Sequence, residues 1–437
     1  MKKLLILAYD FPPYPSVGGL RPNSWYEYMH HFDVYPIVIT RQWENTFGDS
    51  RDYIAKSNSS EEIIEDTAYG KIIRTPYFPN LSNRILLKYG ESKFRFIRRI
   101  VSGYYEFFQH FLKTGPKVNL YFSAREFLKT NKVDAIIATG DPFILFNYAS
   151  SLSKEFDIPW FADYRDDWIQ NHTKEMSFHC AKKLLLQLER FHERCYLKNV
   201  SGFTTVSTYL LQQIVNRTAI ENNEVIENGA DLKYYVKKSN PLSPGDFNIV
   251  YTGMLYDLPY LEDFWIGFER FLGKQNFNNN IKVYFIGIEG FSNQATQSVY
   301  EFQTRHSNHV IVLKRKKTED IAQYQLHAQV LLNMIAGDPE KGLIGAKSYN
   351  YAITGNPILT IPYVKNDKSP FFPNRDIQFI AISPEDVYEF LTEHYTIFKQ
   401  GDIWKSSLTD QEKYTLSREF NTEKLVKFLF KQTHGNS

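Results

Sequence analysis

The chain has 437 residues, 43% hydrophobic and 23% charged, with 51 Lys and Arg against 49 Asp and Glu. That length exceeds what one hydrophobic core usually supports, so two domains are expected, and the composition excludes a disordered or fibrous protein. No apolar run approaches the roughly 20 residues needed to span a bilayer, and the only cysteines, Cys180 and Cys195, stand in no metal or redox spacing, as expected of reduced thiols in a cytoplasm.

Met1-Lys2-Lys3 and the apolar Leu4 to Ala8 begin like a secretory signal. Asp10 and the Pro12-Pro13 pair end that run too early, so it reads as a first buried strand. The loop through Gly18-Gly19 then enters a helical segment from Trp25 to Phe32, which makes a strand, glycine loop, helix unit. Short apolar runs follow at Tyr35 to Thr40, Ile72 to Thr75, Asp134 to Thr139, Trp160 to Asp163 and Gly202 to Val206, separated by segments of helical period. Strands alternating with helices predict a doubly wound parallel sheet, and burial of both its faces explains why the strands are apolar throughout.

Within residues 84–132 the charge is strongly basic: Arg84, Lys88, Lys93, Arg95, Arg98, Arg99, Lys113, Lys117, Arg125, Lys129 and Lys132 stand against Glu91, Glu106 and Glu126. Aromatic residues from Phe94 to Phe122 are interleaved with them. Such a surface suits the anionic face of a membrane, while a packed aromatic core with a solvated charged face is the alternative.

Two prolines, a glycine and small polar residues in 236–246 interrupt the pattern where a linker is expected. The alternation restarts at Phe247 to Tyr251 and continues through Lys282 to Ile286, Val310 to Leu313, Val330 to Met334, Pro357 to Ile361 and Gln378 to Ala381. A helix over Ser407 to Gln432 closes the chain. Two open parallel sheets place ligands at the carboxyl ends of their strands, so a site between the domains is expected.

Five segments in order resemble the family-4 retaining glycosyltransferases of the GT-B fold. They are Phe11-Pro12-Pro13 with Gly18-Gly19 and Arg21; Asp163-Tyr-Arg165-Asp166-Asp-Trp168, similar to the branch with a D-x-R-D-x-W motif; Asn228-Gly229-Ala-Asp231; Val250-Tyr251-Thr252-Gly253; and Gly345-Ala346-Lys347-Ser-Tyr-Asn350-Tyr with Gly355-Asn-Pro357. The resemblance covers essentially the whole chain. It implies two Rossmann-like α/β domains facing across a cleft: an acceptor-binding domain over 1–235, the linker 236–246, a nucleotide-sugar-binding domain over 247–406, and 407–437 packing back toward the first. The implied activity is sugar transfer from a nucleotide-sugar donor to a glycan or lipid-linked glycan, with no cofactor and no metal.

The amides of Gly345 and Ala346 and the Lys347 ammonium are the candidates for holding the donor diphosphate, since a helix amino terminus presents free N–H groups. Gly253 lets backbone approach the ligand, and Gly18 and Gly19 bring amides to the same phosphate. Asp163, Arg165 and Asp166 follow a buried strand and are the catalytic candidates. Arg165, always charged, orients an aspartate or the acceptor, and Asp166 accepts a proton or hydrogen bond from the acceptor hydroxyl. An Arg165–Asp163 structural ion pair is the alternative.

The family carries two donor-site glutamates where this chain has Gly342 and Asn350. Asn350 retains an amide oxygen for the ribose, and Asp338 or Glu340 lies near Gly342. Met254 and Pro259 stand where a basic pair is usual, and Lys314-Arg315-Lys316-Lys317 reads first as a solvated loop, with substitute cations for the phosphate as the alternative. That run is too short for a nucleic-acid patch, so no nucleic-acid partner is expected. A non-catalytic GT-B module and a nucleotide-sugar 2-epimerase are the competing readings.

Overall fold

The computed structural model describes the chain except residues 15, 45–49, 172–178, 259, 290–292, 335–344, 363–376, 403, 405–407 and 432–437. It divides into two units, Met1–Glu227 with the carboxyl-terminal residues from Thr422, and Asn228–Asn421.

In the first unit, β1 (Lys2–Leu7), β2 (Val34–Arg41), β3 (Ile63–Asp66), β4 (Lys71–Thr75), β5 (Ala135–Gly140), β6 (Trp160–Tyr164), β7 (Gly202–Thr205) and β8 (Asn223–Val225) form one sheet in the order β3-β4-β2-β1-β5-β6-β7-β8. Every pairing is parallel except that of β3 with β4. Every residue of β5 and β6 is buried, so these strands read as unbroken apolar runs. One face of the sheet packs on the helix Ile144–Phe156 through Leu145, Phe146, Ala149 and Leu152, all fully buried. Fully burying a side chain of this size stabilises by about 1.5–3 kcal/mol. The other face holds Leu4, Ile6 and Ile137 with Leu425, Phe428 and Leu429.

The expected closing helix is two helices, Asp410–Thr415 and Arg418–Leu429. The break lies at Ser417, which bridges Ala230. The Ala230 amide donates to the Leu416 carbonyl at 2.9 Å and the Arg418 amide to the Ala230 carbonyl at 2.8 Å, bonds that a continuous helix would forbid.

The second unit contains β9 (Phe247–Thr252), β10 (Ile281–Ile286), β11 (Val310–Leu313), β12 (Val330–Met334), β13 (Ile358–Ile361) and β14 (Gln378–Ile380). They form a wholly parallel sheet ordered β11-β10-β9-β12-β13-β14. Residues 236–246 lie inside this unit. The Lys238 amide donates to Gln323 Oε1 at 2.8 Å, Gln323 Nε2 donates to the Val236 carbonyl at 3.0 Å, and Leu242 is buried with Val250 and Leu331. At Gly229 φ is +66°, and a Cβ there would lie 2.7 Å from the Ser417 carbonyl carbon, so both conformation and space require glycine.

In the first sheet the strand order reverses between β1 and β5, in the second between β9 and β12. The carboxyl ends of those strands are where a doubly wound sheet holds its ligand.

Candidate functional site

At the carboxyl end of β6, Asp163 is fully buried and its carboxylate is committed to the protein. Arg21 Nη2 donates to it at 2.7 Å and Arg21 Nε at 3.1 Å, while the hydroxyls of Thr139 and Thr204 each donate at 2.8 Å. The strand register makes this possible, because Thr139 and Thr204 lie opposite Asp163 on β5 and β7. Arg21, itself 4% exposed, also donates to the carbonyls of Ile226 and Glu227 at 2.7 and 3.1 Å. The partner of Asp163 is thus Arg21, on the helix Val17–Tyr28, and the pair ties that helix to the sheet.

Arg165 turns elsewhere. Its Nε donates to the Gly140 carbonyl at 2.6 Å and its Nη2 to the Asp141 carbonyl at 2.5 Å. A Cβ on Gly18 would lie 2.1 Å from Arg165 Nη1 and 3.0 Å from Asp10 Oδ2, so glycine at 18 lets the guanidinium lie against the start of the helix Val17–Tyr28. The Gly18 amide donates to Ser16 Oγ at 3.0 Å and the Gly19 amide to the Ser16 carbonyl at 3.1 Å, so both serve the helix cap. Asp166 is exposed. Its neighbour Asp167 accepts from the Ile169 amide at 3.0 Å and pairs with Arg217 at 3.2 Å.

The residue that sequence reasoning missed here is Asp10. Its Oδ2 accepts from Ser16 Oγ at 2.7 Å, and its Oδ1 is buried without a partner among the described residues. Burial pushes its carboxyl above the usual range, with the Ser16 hydrogen bond and the Arg165 charge pulling it back. The available signal was an acid three residues beyond the first strand of a doubly wound sheet. Asp10 and Arg165 together place a hydrogen-bond acceptor and a fixed cation at the carboxyl ends of β1, β5 and β6, a pair suited to orienting a hydroxyl.

In the second unit, β9 ends at Thr252 and Gly253, where φ is +88°. The helix Ala346–Ala352 is fixed to the sheet by three side chains. Lys347 Nζ donates to Tyr251 Oη and to the Met254 carbonyl, both at 2.8 Å; Asn333 on β12 donates to Ser348 Oγ at 3.3 Å; and the Thr252 amide donates to Tyr351 Oη at 3.0 Å. Lys347 and Tyr351 are four residues apart and therefore share the helix face turned to β9. A Cβ on Gly253 would lie 2.9 Å from Lys347 Cε, so the lysine stem crosses the bare glycine. Burial lowers the Lys347 ammonium to about 7. An anion beside it would restore its charge.

Gly287 (φ +80°), after β10, was also missed; a Cβ there would lie 3.8 Å from the Gly253 Cα, so the two glycines set backbone without side chains side by side. Lys314 to Lys317 are exposed after β11, and the Arg315 amide donates to Glu289 at 2.5 Å. Gly345 is exposed and its carbonyl accepts from the Ser348 amide at 3.0 Å, Ala346 begins the helix, and Asn350 is half-buried on it. Asp338, Glu340, Gly342 and Pro259 lie outside the described residues.

Two doubly wound parallel-sheet units, each with polar side chains at the carboxyl ends of its central strands, define a GT-B fold. The chain is similar over 98% of its length to all of the UDP-forming α,α-trehalose-phosphate synthase of Burkholderia xenovorans, solved with glucose-6-phosphate, at 10% identity and a TM-score of 0.61. HepE of Anabaena, solved with UDP-glucose, matches at 12% identity and a TM-score of 0.54 over 98% of this chain and 99% of that one. A UDP-N-acetylglucosamine 2-epimerase matches at 12% identity and a TM-score of 0.51 over 100% of this chain and 97% of that one. No protein-family model and no curated protein matches the chain. At these identities the comparisons establish the GT-B fold, and since that fold also carries an epimerase, the reaction has to be argued from the site.

Proposed function

We propose that this protein is a glycosyltransferase that moves a sugar from a nucleotide-sugar donor to a glycan or lipid-linked glycan, in surface polysaccharide synthesis at the cytoplasmic face of a membrane. The observation that carries the reading is Lys347 laid across Gly253 and bonded to Tyr251 and Met254 at the end of β9. It puts a cation beside bare backbone where a doubly wound sheet receives a diphosphate.

In this reading the bond from the sugar to the diphosphate breaks with its electron pair on the diphosphate, and the acceptor oxygen forms the new bond on the same face. The acceptor proton passes to the departing diphosphate. Lys347 meets the charge that develops there, and the 314–317 run adds cations from the neighbouring strand end, so the transfer is proposed as metal-independent. From the first unit, Asp10 and Arg165 orient the acceptor hydroxyl, with Asp166 exposed beside them.

Asn350 favours a second reading, a module that binds nucleotide or glycan without transfer, because a neutral amide accepts a weaker hydrogen bond from a ribose than a carboxylate does. The fold shared with an epimerase motivates a third. A thermal-shift screen against nucleoside diphosphates and nucleotide sugars tests the donor site, since a ligand that prefers the folded state raises the melting temperature by mass action. A selective shift that disappears in Lys347→Ala, followed by product formed only with acceptor present, is the expected result. No shift with any nucleotide would refute the transferase, and epimerised nucleotide sugar formed without acceptor would establish the third reading.

A further inference from the structure

The helix Arg95–Phe108 carries an apolar stripe turned outward, unlike a water-facing surface helix. Such a helix turns its apolar stripe to the core and its charges outward. Here no residue of the helix is buried. Phe96 is 75% exposed, Ile100 58%, Tyr104 53% and Phe107 49%, and Phe111 just beyond the helix is 57% exposed. These residues recur at helical spacing and form one stripe. The side turned to the protein is mixed and only half-buried: Val101, Tyr105 and Phe108 share it with Ser102, whose hydroxyl bonds that of Ser82 at 2.8 Å, and the Ser82 hydroxyl also bonds the Arg98 carbonyl at 3.2 Å. Among the described residues no helix is long and apolar enough to cross a membrane, so the stripe does not belong to a span.

What covers it is indicated by charge. Arg84, Lys88, Lys93, Arg95 and Arg99 are all exposed around the stripe, against the exposed Glu91 and Glu106. A second copy of the same surface would bring these cations face to face. A bilayer rich in anionic phospholipid answers both features, because the rings enter the headgroup and acyl boundary while the cations meet the phosphates. We infer that the helix Arg95–Phe108 is a membrane-docking element that lies in the plane of an anionic phospholipid surface, its Phe96–Ile100–Tyr104–Phe107 stripe immersed and its flanking arginines and lysines on the headgroups. The inference deepens the reading above by naming the surface on which a lipid-linked acceptor is met, and its test needs neither donor nor acceptor.

The test is flotation of the purified chain with phosphatidylcholine vesicles and with mixed phosphatidylcholine–phosphatidylglycerol vesicles. Wild type should float only with the mixed vesicles, and added salt should release it. Arg95→Gln with Arg99→Gln should weaken binding about fivefold for each charge removed. Phe96→Ser, Ile100→Ser and Phe107→Ser together should weaken it about a hundredfold or more. All five positions are exposed, so melting temperatures should stay near wild type; if the triple variant fails to fold, the arginine pair still decides. Equal flotation of wild type and the arginine variant at every lipid concentration would overturn the inference. So would a wild-type dimer that the triple variant converts to monomer with no change in flotation. A lost nucleotide shift with flotation intact would remove the transferase reading and leave this one standing.

Discussion

Replacing Asp163 separates a structural from a catalytic carboxylate. Asp163→Asn keeps the side-chain shape but removes the charge that faces Arg21, which is 4% exposed and bonded to it at 2.7 Å. Breaking a buried pair by neutralising one member leaves the other charge uncompensated, at a cost of about 3–5 kcal/mol. The two threonine hydroxyls, each donating at 2.8 Å, would meet an amide that offers one acceptor atom instead of two, which keeps the estimate toward the upper end. For a unit of this size that corresponds to a fall in melting temperature of about 6–20 °C. Differential scanning calorimetry is the assay, with Arg165→Ala as the comparison, because Arg165 is only half-buried and bonds backbone carbonyls. The double substitution Arg21→Met with Asp163→Leu removes both charges and should recover much of the loss, since apolar replacement of a whole buried pair is often neutral. An Asp163→Asn protein that melts with wild type yet has lost transfer would refute this reasoning and return Asp163 to the chemistry.

Lys347 gives a prediction in pH. Its folded-state value of about 7 lies below the ordinary 10.5, so below about 7 the ammonium is charged in both states and the folded state carries the burial cost. Between about 7 and 10.5 the unfolded chain holds the proton and the folded one does not, so stability rises with pH across that window. Lys347→Met should therefore raise the ligand-free melting temperature, most at the acid end. Nucleoside diphosphate binding in wild type should weaken as pH rises above about 7, with a proton taken up on binding, which calorimetry in buffers of different ionisation enthalpy would detect; pH-independent affinity would exclude the ammonium as the contact. Gly18→Ala places a methyl 2.1 Å from Arg165 Nη1. The guanidinium ends a flexible chain and can move aside, so the melting temperature should hold while kcat/KM falls by about a hundredfold, the usual effect of misplacing an orienting group by about 1 Å. An unchanged kcat/KM would show that Arg165 takes no part.

The strands were legible because burial on both faces writes itself into the sequence. β5 and β9 are buried at every position and read as continuous apolar runs. The strands that were missed are the outermost of the first sheet. β3 leaves Ile63 and Ile64 43% and 59% exposed between acids, and β8 is three half-buried residues. Lys347 beside Gly253 was foreshadowed by the motifs that contain them. The pairing of Asp163 was not, because Arg21 lies 142 positions away and competes with a nearer arginine, Arg165, that the register sends to Gly140. Likewise the break at Ser417 is made by Ala230, which no local helical pattern contains.

The same limit explains the two faces of the first unit's helices. Ile144–Phe156 and Arg95–Phe108 both carry apolar residues at helical spacing, which fixes that each has an apolar stripe and leaves open what the stripe meets. In the first, Leu145, Phe146, Ala149 and Leu152 are fully buried against the sheet. In the second, Phe96, Ile100, Tyr104 and Phe107 are exposed, and the side toward the protein, Val101, Tyr105 and Phe108 with Ser102 bonded to Ser82, is only half-buried. The sequence does differ in one respect: Lys154 and Glu155 alone carry charge in Ile144–Phe156, whereas Arg95, Arg98 and Arg99 crowd the first turns of the other. Three cations in five residues resist burial, so a helix that carries them beside phenylalanines is stable at a boundary where water and apolar medium meet within one helix diameter, and a phospholipid surface is such a boundary.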